Sequence, residues 1–155
     1  MNYVIEGLDP APFAPLFGMP DDALAEMGVV RMRADEAPGF PCRVTLDEVP
    51  VGDTLLLLNH ESRMGDTPFR ASHAIFVSEG CAAPARYCDE LPPVMLTRWM
   101  SLRGFDADGM MVDARLTAPG EANAGLRELF ADPRIVEIDA HNAVRGCFAA
   151  RARRA

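Results

Sequence analysis

Arg134-Ile-Val-Glu-Ile-Asp-Ala-His-Asn-Ala-Val-Arg-Gly-Cys-Phe-Ala-Ala-Arg-Ala-Arg153 holds two alternating runs joined by a short loop. In the first run Val136, Ile138 and Ala140 share one face, and Ile135, Glu137, Asp139 and His141 share the other. In the second, Phe148, Ala150 and Ala152 oppose Cys147, Ala149, Arg151 and Arg153. Period-two alternation with one apolar face is the pattern of a half-buried strand. The five residues 142–146 are an ordinary hairpin connection, and Gly146 can take a positive φ. Closing the hairpin predicts His141 opposite Cys147, Asp139 opposite Ala149 and Glu137 opposite Arg151. The other face then pairs Ala140 with Phe148, Ile138 with Ala150 and Val136 with Ala152. A one-residue slip would mix the faces, so the pattern itself sets the register.

The preceding segment repeats the device. Asp106-Ala-Asp-Gly109 suits a type I turn with glycine in the left-handed position. It predicts Phe105 opposite Met111, Arg103 opposite Asp113, and Leu102 opposite Ala114. Between the two hairpins, Ala122, Leu126, Leu129 and Phe130 recur at helical spacing until Asp132-Pro133 stops the helix. Further upstream the signals are shorter. Residues 3–7 read as a first strand, 20–28 as a short helix with proline at its start and glycine past its end, and 29–34 as a strand. Another strand is expected around 44–46, and 54–58 and 73–77 read as buried strands. Residues 79–97, with three prolines, read as the longest irregular segment. The class is α+β: one domain over 1–155, built on a mainly antiparallel sheet with room for strong curvature and a few short helices.

Composition narrows the function. At 155 residues and 49% apolar content the chain can bury a substantial core. No run is long and apolar enough to span a membrane, and residues 1–6 lack the basic start of a signal peptide. A cytoplasmic protein is expected, with cysteines 42, 81, 88 and 147 reduced, since no CxxC is present. The net charge of −8 argues against a nucleic-acid footprint. All 15 basic residues are arginine. Without lysine there is no Schiff base, hence no ordinary pyridoxal-phosphate chemistry, and no Walker phosphate loop.

The residues open to chemistry are few. Cys42 beside Arg43, and Cys147 beside His141 and near Arg145, have cationic neighbours of the kind that activate thiols. The competing reading packs each cysteine as a small hydrophobe. Convergence of Cys42, His73, His141 and Cys147 would make a tetrahedral zinc site, although no short paired-ligand spacing supports one. His141 or His73 could serve as a general base, with Asp139 orienting His141; the simpler reading is a solvated polar face of Glu137, Asp139 and His141. Arg103 and Arg151 have cross-strand partners in Asp113 and Glu137, whereas Arg43 and Arg70 have none assigned and suit a carboxylate or phosphate better.

Five stretches carry a family resemblance: Gly39-Phe-Pro-Cys-Arg43, Pro50-Val-Gly-Asp-Thr-Leu-Leu-Leu-Leu-Asn59, Thr67-Pro-Phe-Arg-Ala-Ser-His-Ala-Ile-Phe76, Ser101-Leu-Arg-Gly-Phe-Asp-Ala-Asp-Gly109 and His141-Asn-Ala-Val-Arg-Gly-Cys-Phe148. Through them the chain resembles a bacterial family known as domain of unknown function 1203. The resemblance implies a stand-alone small cytoplasmic protein and transfers no activity, cofactor or functional residue.

These signals favour one pocket lined by Arg43, Arg70, His73, Arg145 and the His141 corner, holding a small anionic metabolite with or without catalysis. The different-class alternative is a structural or interaction protein in which these residues only satisfy one another. A thiol enzyme or Cys/His metal site is the third possibility. No cofactor is called for, and oligomeric state is not legible.

Overall fold

Each predicted strand needs a surface to cover its apolar face, and the computed structural model, which describes residues 2–155, supplies two such surfaces. In chain order the elements are β1 (Tyr3–Glu6), a single 3-10 turn at Ala14–Leu16, α1 (Asp21–Glu26), β2 (Val30–Arg33), β3 (Thr54–Arg63) and β4 (Ala71–Ser78). They continue with β5 (Arg86–Cys88), α2 (Pro93–Leu96), β6 (Met100–Phe105), β7 (Met111–Thr117), α3 (Ala122–Phe130), β8 (Glu137–Asn142) and β9 (Phe148–Arg154). Six strands form one antiparallel sheet in the order β5-β1-β9-β8-β6-β7, and β2-β3-β4 form a second. The fold is α+β, and its C-terminal half is the hairpin–helix–hairpin expected from the alternating runs. No helix among the described residues is long and apolar enough to cross a membrane.

One face of the six-stranded sheet is hydrocarbon. α3 sets Ala122, Leu126, Leu129 and Phe130 against Met100, Leu102, Ile138, Ala140, Ala150 and Ala152, all buried. Each fully buried leucine or phenylalanine contributes about 1.5–3 kcal/mol. An exposed ion pair contributes about 1 kcal/mol or less, so this layer outweighs the surface charges. Gly125 lets the helix approach closely: a Cβ there would lie 2.6 Å from Thr117 Cγ2 and 2.8 Å from Leu102 Cδ1. Arg154 closes the far end of α3, donating to the carbonyls of Phe130 and Asp132. A second core around Leu24, Val44, Leu55, Leu56, Ile75 and Val77 lies on the three-stranded sheet.

Three local expectations are corrected. Residues 44–46 are not a strand: Leu46 N donates to Cys42 O at 3.0 Å, and Leu46 holds φ +54°, closing a turn. Segment 79–97 is less irregular than its prolines suggest, because it contains β5 and α2. Both hairpins also carry bulges. In the first, Phe105 faces Met111 as expected, but beyond it Gly104 faces Asp113 and Arg103 faces Ala114. In the second, Glu137 faces Arg153, Asp139 faces Arg151 and His141 faces Phe148 rather than Cys147. The one-residue shift in the first hairpin brings Asp113 and Arg115 onto the face of Gly104 and Leu102, whereas the two-residue shift in the second leaves the side chains paired with Glu137 to Ala140 on their predicted faces. The added bulge turns Phe148 alone to the histidine side, where its ring lies 5.9 Å from His141.

Gly7 ties the first strand to the 42–46 turn. Leu8 N donates to Arg43 O at 2.8 Å, and a Cβ on Gly7 would fall 1.9 Å from the Val44 carbonyl oxygen. Because the obstacle is backbone, Gly7→Ala is expected to cost about 1–3 kcal/mol. The loss should appear as a lower urea midpoint at unchanged slope; a midpoint equal to wild type would show that the turn yields freely.

Candidate functional site

The second face of the six-stranded sheet is polar, and it is not solvated. Ser101 and His141, Arg103 and Asp139, and Phe105 and Glu137 are partners across β6 and β8, so their side chains share this face. It meets the β3–β4 hairpin, and Asp139 and His141 are only 1% and 2% exposed. Burial of charge demands partners. Asp139 has two: Arg63 Nε donates to Oδ2 at 3.0 Å, and Arg151 donates to Oδ1 at 2.5 Å and Oδ2 at 3.0 Å. Arg63 also reaches Glu137 at 2.9 Å and lies 3.5 Å from the Phe105 ring centroid. Sequence reasoning gave Arg151 to Glu137, which lies at 3.8 Å, farther than Asp139. The pairing of Arg103 with Asp113 does not form. Asp113 pairs with Arg115 at 2.7 Å, and Arg103 Nε donates to Ser101 Oγ.

All three histidines of the chain meet at this seam. His60 and His73 are direct partners across β3 and β4, and the His73 and His141 rings stand edge-to-face with centroids 4.9 Å apart. His73 Nδ1 lies 3.4 Å from Ser62 Oγ. His141 Nδ1 donates to Gly146 O at 3.0 Å, which leaves Nε2 as the unprotonated nitrogen of the neutral ring. Burial pushes the His141 pKa down to about 4, and nearby Arg103 and His73 act in the same direction. Burial likewise lowers His60 and His73, helped by Arg151 and Arg103 respectively. The set is therefore held neutral among arginines.

Arg43 lies at the edge of this seam and is 2% exposed. Its guanidinium is fixed on three sides: Nε donates to Phe148 O at 2.8 Å, Nη1 to Pro41 O at 2.6 Å, and Nη2 to Cys147 Sγ at 3.1 Å. Burial lowers its pKa, and the Cys147 sulfur is the largest opposing influence. Asn142 Nδ2 donates to the same sulfur at 3.4 Å. These groups line a pocket of about 400 Å³ between the 36–43 segment and the 142–147 loop. Arg98 enters from a third side, ion-paired to Glu48 at 2.5 Å. Arg145 and the exposed Val144 and Trp99 form the mouth, and Glu36 is the acidic side chain of the lining. Trp99 is tied to the loop, since its carbonyl accepts from Ala143 N at 3.0 Å.

The structure thus brings Arg43, Arg145 and Cys147 to one pocket and leaves the other candidates elsewhere. Arg70 is exposed and pairs with Glu61 at 3.5 Å, so it does not converge with Arg43 and His73. Cys42 is buried in the second core, where its sulfur accepts from Ser78 N and Thr45 N. Cys42, His73, His141 and Cys147 do not form one ligand set, and no group able to hold a metal ion occurs among the described residues. Sequence reasoning missed His60, Arg63, Arg98 and Trp99. His60 had a usable signal, because Leu56, Leu58 and His60 continue one alternation and pair with Val77, Ile75 and His73.

A family model matches residues 39–154 of the chain, with the description "Protein of unknown function (DUF1203)". No curated protein and no solved structure matches the chain.

Proposed function

We propose that this chain, which belongs to the DUF1203 family, binds a small anionic metabolite in the pocket formed by Arg43, Arg98 and Arg145. The observation that carries this reading is a positive site in a protein of net charge −8. Arg43 is already oriented by fixed acceptors, so little side-chain entropy remains to be lost on binding. Arg145 at the mouth has no ion-pair partner among the described residues. The pocket's volume, about 400 Å³, falls in the range of small-ligand sites. Guanidinium groups suit planar carboxylates and phosphates equally, so the shared chemistry is anionic. Four free cysteines accord with a reducing, cytoplasmic setting. The acidic balance disfavours nucleic acid as the partner.

Thermal unfolding at low salt tests the reading. Phosphate and citrate, compared with chloride at equal ionic strength, should raise the melting temperature in a saturable way, as ligands of the native state do. Arg145→Gln should weaken the apparent affinity about tenfold, the loss of one charge-assisted contact of about 1.4 kcal/mol. Identical melting curves in phosphate, citrate and chloride would refute anion binding here. The structural reading, in which polar groups only satisfy one another, is favoured at the seam, where Asp139 is ion-paired to both Arg63 and Arg151.

A further inference from the structure

We propose that Cys147 is a nucleophile acting on the ligand of this pocket, and that the ligand is a small anion carrying an electrophilic carbon. This rests on the anion-binding reading and adds a reaction to it. The sulfur lines the pocket, and two donors converge on it, Arg43 Nη2 at 3.1 Å and Asn142 Nδ2 at 3.4 Å. Arg43 cannot swing away, because Pro41 O and Phe148 O hold its other nitrogens. The guanidinium and the amide together fix the sulfur at the pocket wall, where an electrophilic carbon can reach it.

The other thiols lack this combination. Cys42 is 1% exposed and outside the pocket lining, and its sulfur accepts from the backbone of Ser78 and Thr45. Burial pushes Cys81 up to about 11, with Cys42 adding to the effect. Cys88 is exposed, with Arg86 only at 3.9 Å and outside the pocket lining. A second observation points to a ligand at Cys147. Asn142 Oδ1, on the side chain that touches the sulfur, is buried with no hydrogen-bond partner. An orphaned acceptor of this kind is normally satisfied by a ligand donor or an ordered water. In the reaction Sγ forms a bond to the electrophilic carbon and that carbon's bond to its leaving group breaks. The leaving group departs with the bonding pair, and the thiol proton passes to it or to water.

Alkylation of the native protein near neutral pH, followed cysteine by cysteine by peptide mass spectrometry, tests this. Iodoacetate is the anionic probe: a C–S bond forms, iodide leaves and the proton goes to water. Iodoacetamide is its neutral counterpart. In native protein Cys147 should react with iodoacetamide about tenfold faster than the same cysteine in urea, while Cys88 keeps its unfolded rate. Cys147 should also prefer iodoacetate over iodoacetamide relative to Cys88, and Arg145→Gln should erase that preference. A native Cys147 no faster than in urea overturns the nucleophile; a phosphate-induced thermal shift in the same preparation would leave anion binding standing. Fast iodoacetamide labelling without any iodoacetate preference overturns the anionic substrate, and identical melting curves in phosphate and chloride would take the anion-binding reading with it.

Discussion

Asp139→Ala is expected to lower the unfolding free energy by about 3–5 kcal/mol, the usual cost of removing one partner from a buried ion pair. Asp139 is 1% exposed and neutralises two guanidinium groups, Arg63 and Arg151. Without it both must share Glu137, which Arg153 also approaches at 3.5 Å. Arg63 cannot escape to water, since it is buried against the Phe105 ring. The effect comes from stranded charge rather than lost packing. Asp139→Asn, which keeps shape and discards charge, should therefore recover less than half of the loss. Urea denaturation of the three proteins checks this; a loss under about 1 kcal/mol for the alanine variant would show that the seam rehydrates easily.

The second large effect is a loss of stability between pH 6.5 and about 4. The folded His141 takes up its proton near pH 4, well below its ordinary 6.5, so the unfolded chain binds protons first as pH falls. The contribution is complete above pH 6.5 and is lost as pH drops through that window. A depression from 6.5 to about 4 corresponds to about 3 kcal/mol for this buried ring. His60 and His73 act in the same direction. Around His141, Arg103 and His73 oppose its protonation while Asp139 and the Gly146 carbonyl favour it, and burial decides the sign. Urea midpoints between pH 7.5 and 4 should fall steeply in wild type and more gently in His141→Gln. An imidazole resonance of His141 titrating near 6.5 would refute the mechanism.

How much of this was legible beforehand depended on how local each cause was. The Asp106–Gly109 turn and the spacing of Leu126, Leu129 and Phe130 are local, and both gave the correct elements. Register beyond Gly104 is not: a bulge between Gly104 and Phe105 shifts it, and the glycine there answers to a distant side chain, since a Cβ would meet Ile135 Cδ1 at 2.6 Å. The alternation of Glu137, Asp139 and His141 marked a polar face correctly, but only the placement of the β3–β4 hairpin buries it. No short pattern states which sheet covers which. Arg43 and Cys147 each carry a local signal, from their own sequence neighbours, but their contact spans 104 positions of chain.

The seam between the two sheets has a mechanical consequence. Hydrocarbon attraction by itself has no direction, and a core fixes alignment only through the fit of its side chains. Here guanidinium–carboxylate pairs and imidazole edges join the sheets, and each contact fixes a distance and an angle. The joint behaves like a dowelled one rather than a greased one. The pocket straddles that joint, with Arg43 on one side and the 142–147 loop on the other. The alignment of guanidinium, sulfur and mouth is thus set by the dowels beneath them, and shearing the sheets by a single residue would pull the pocket apart.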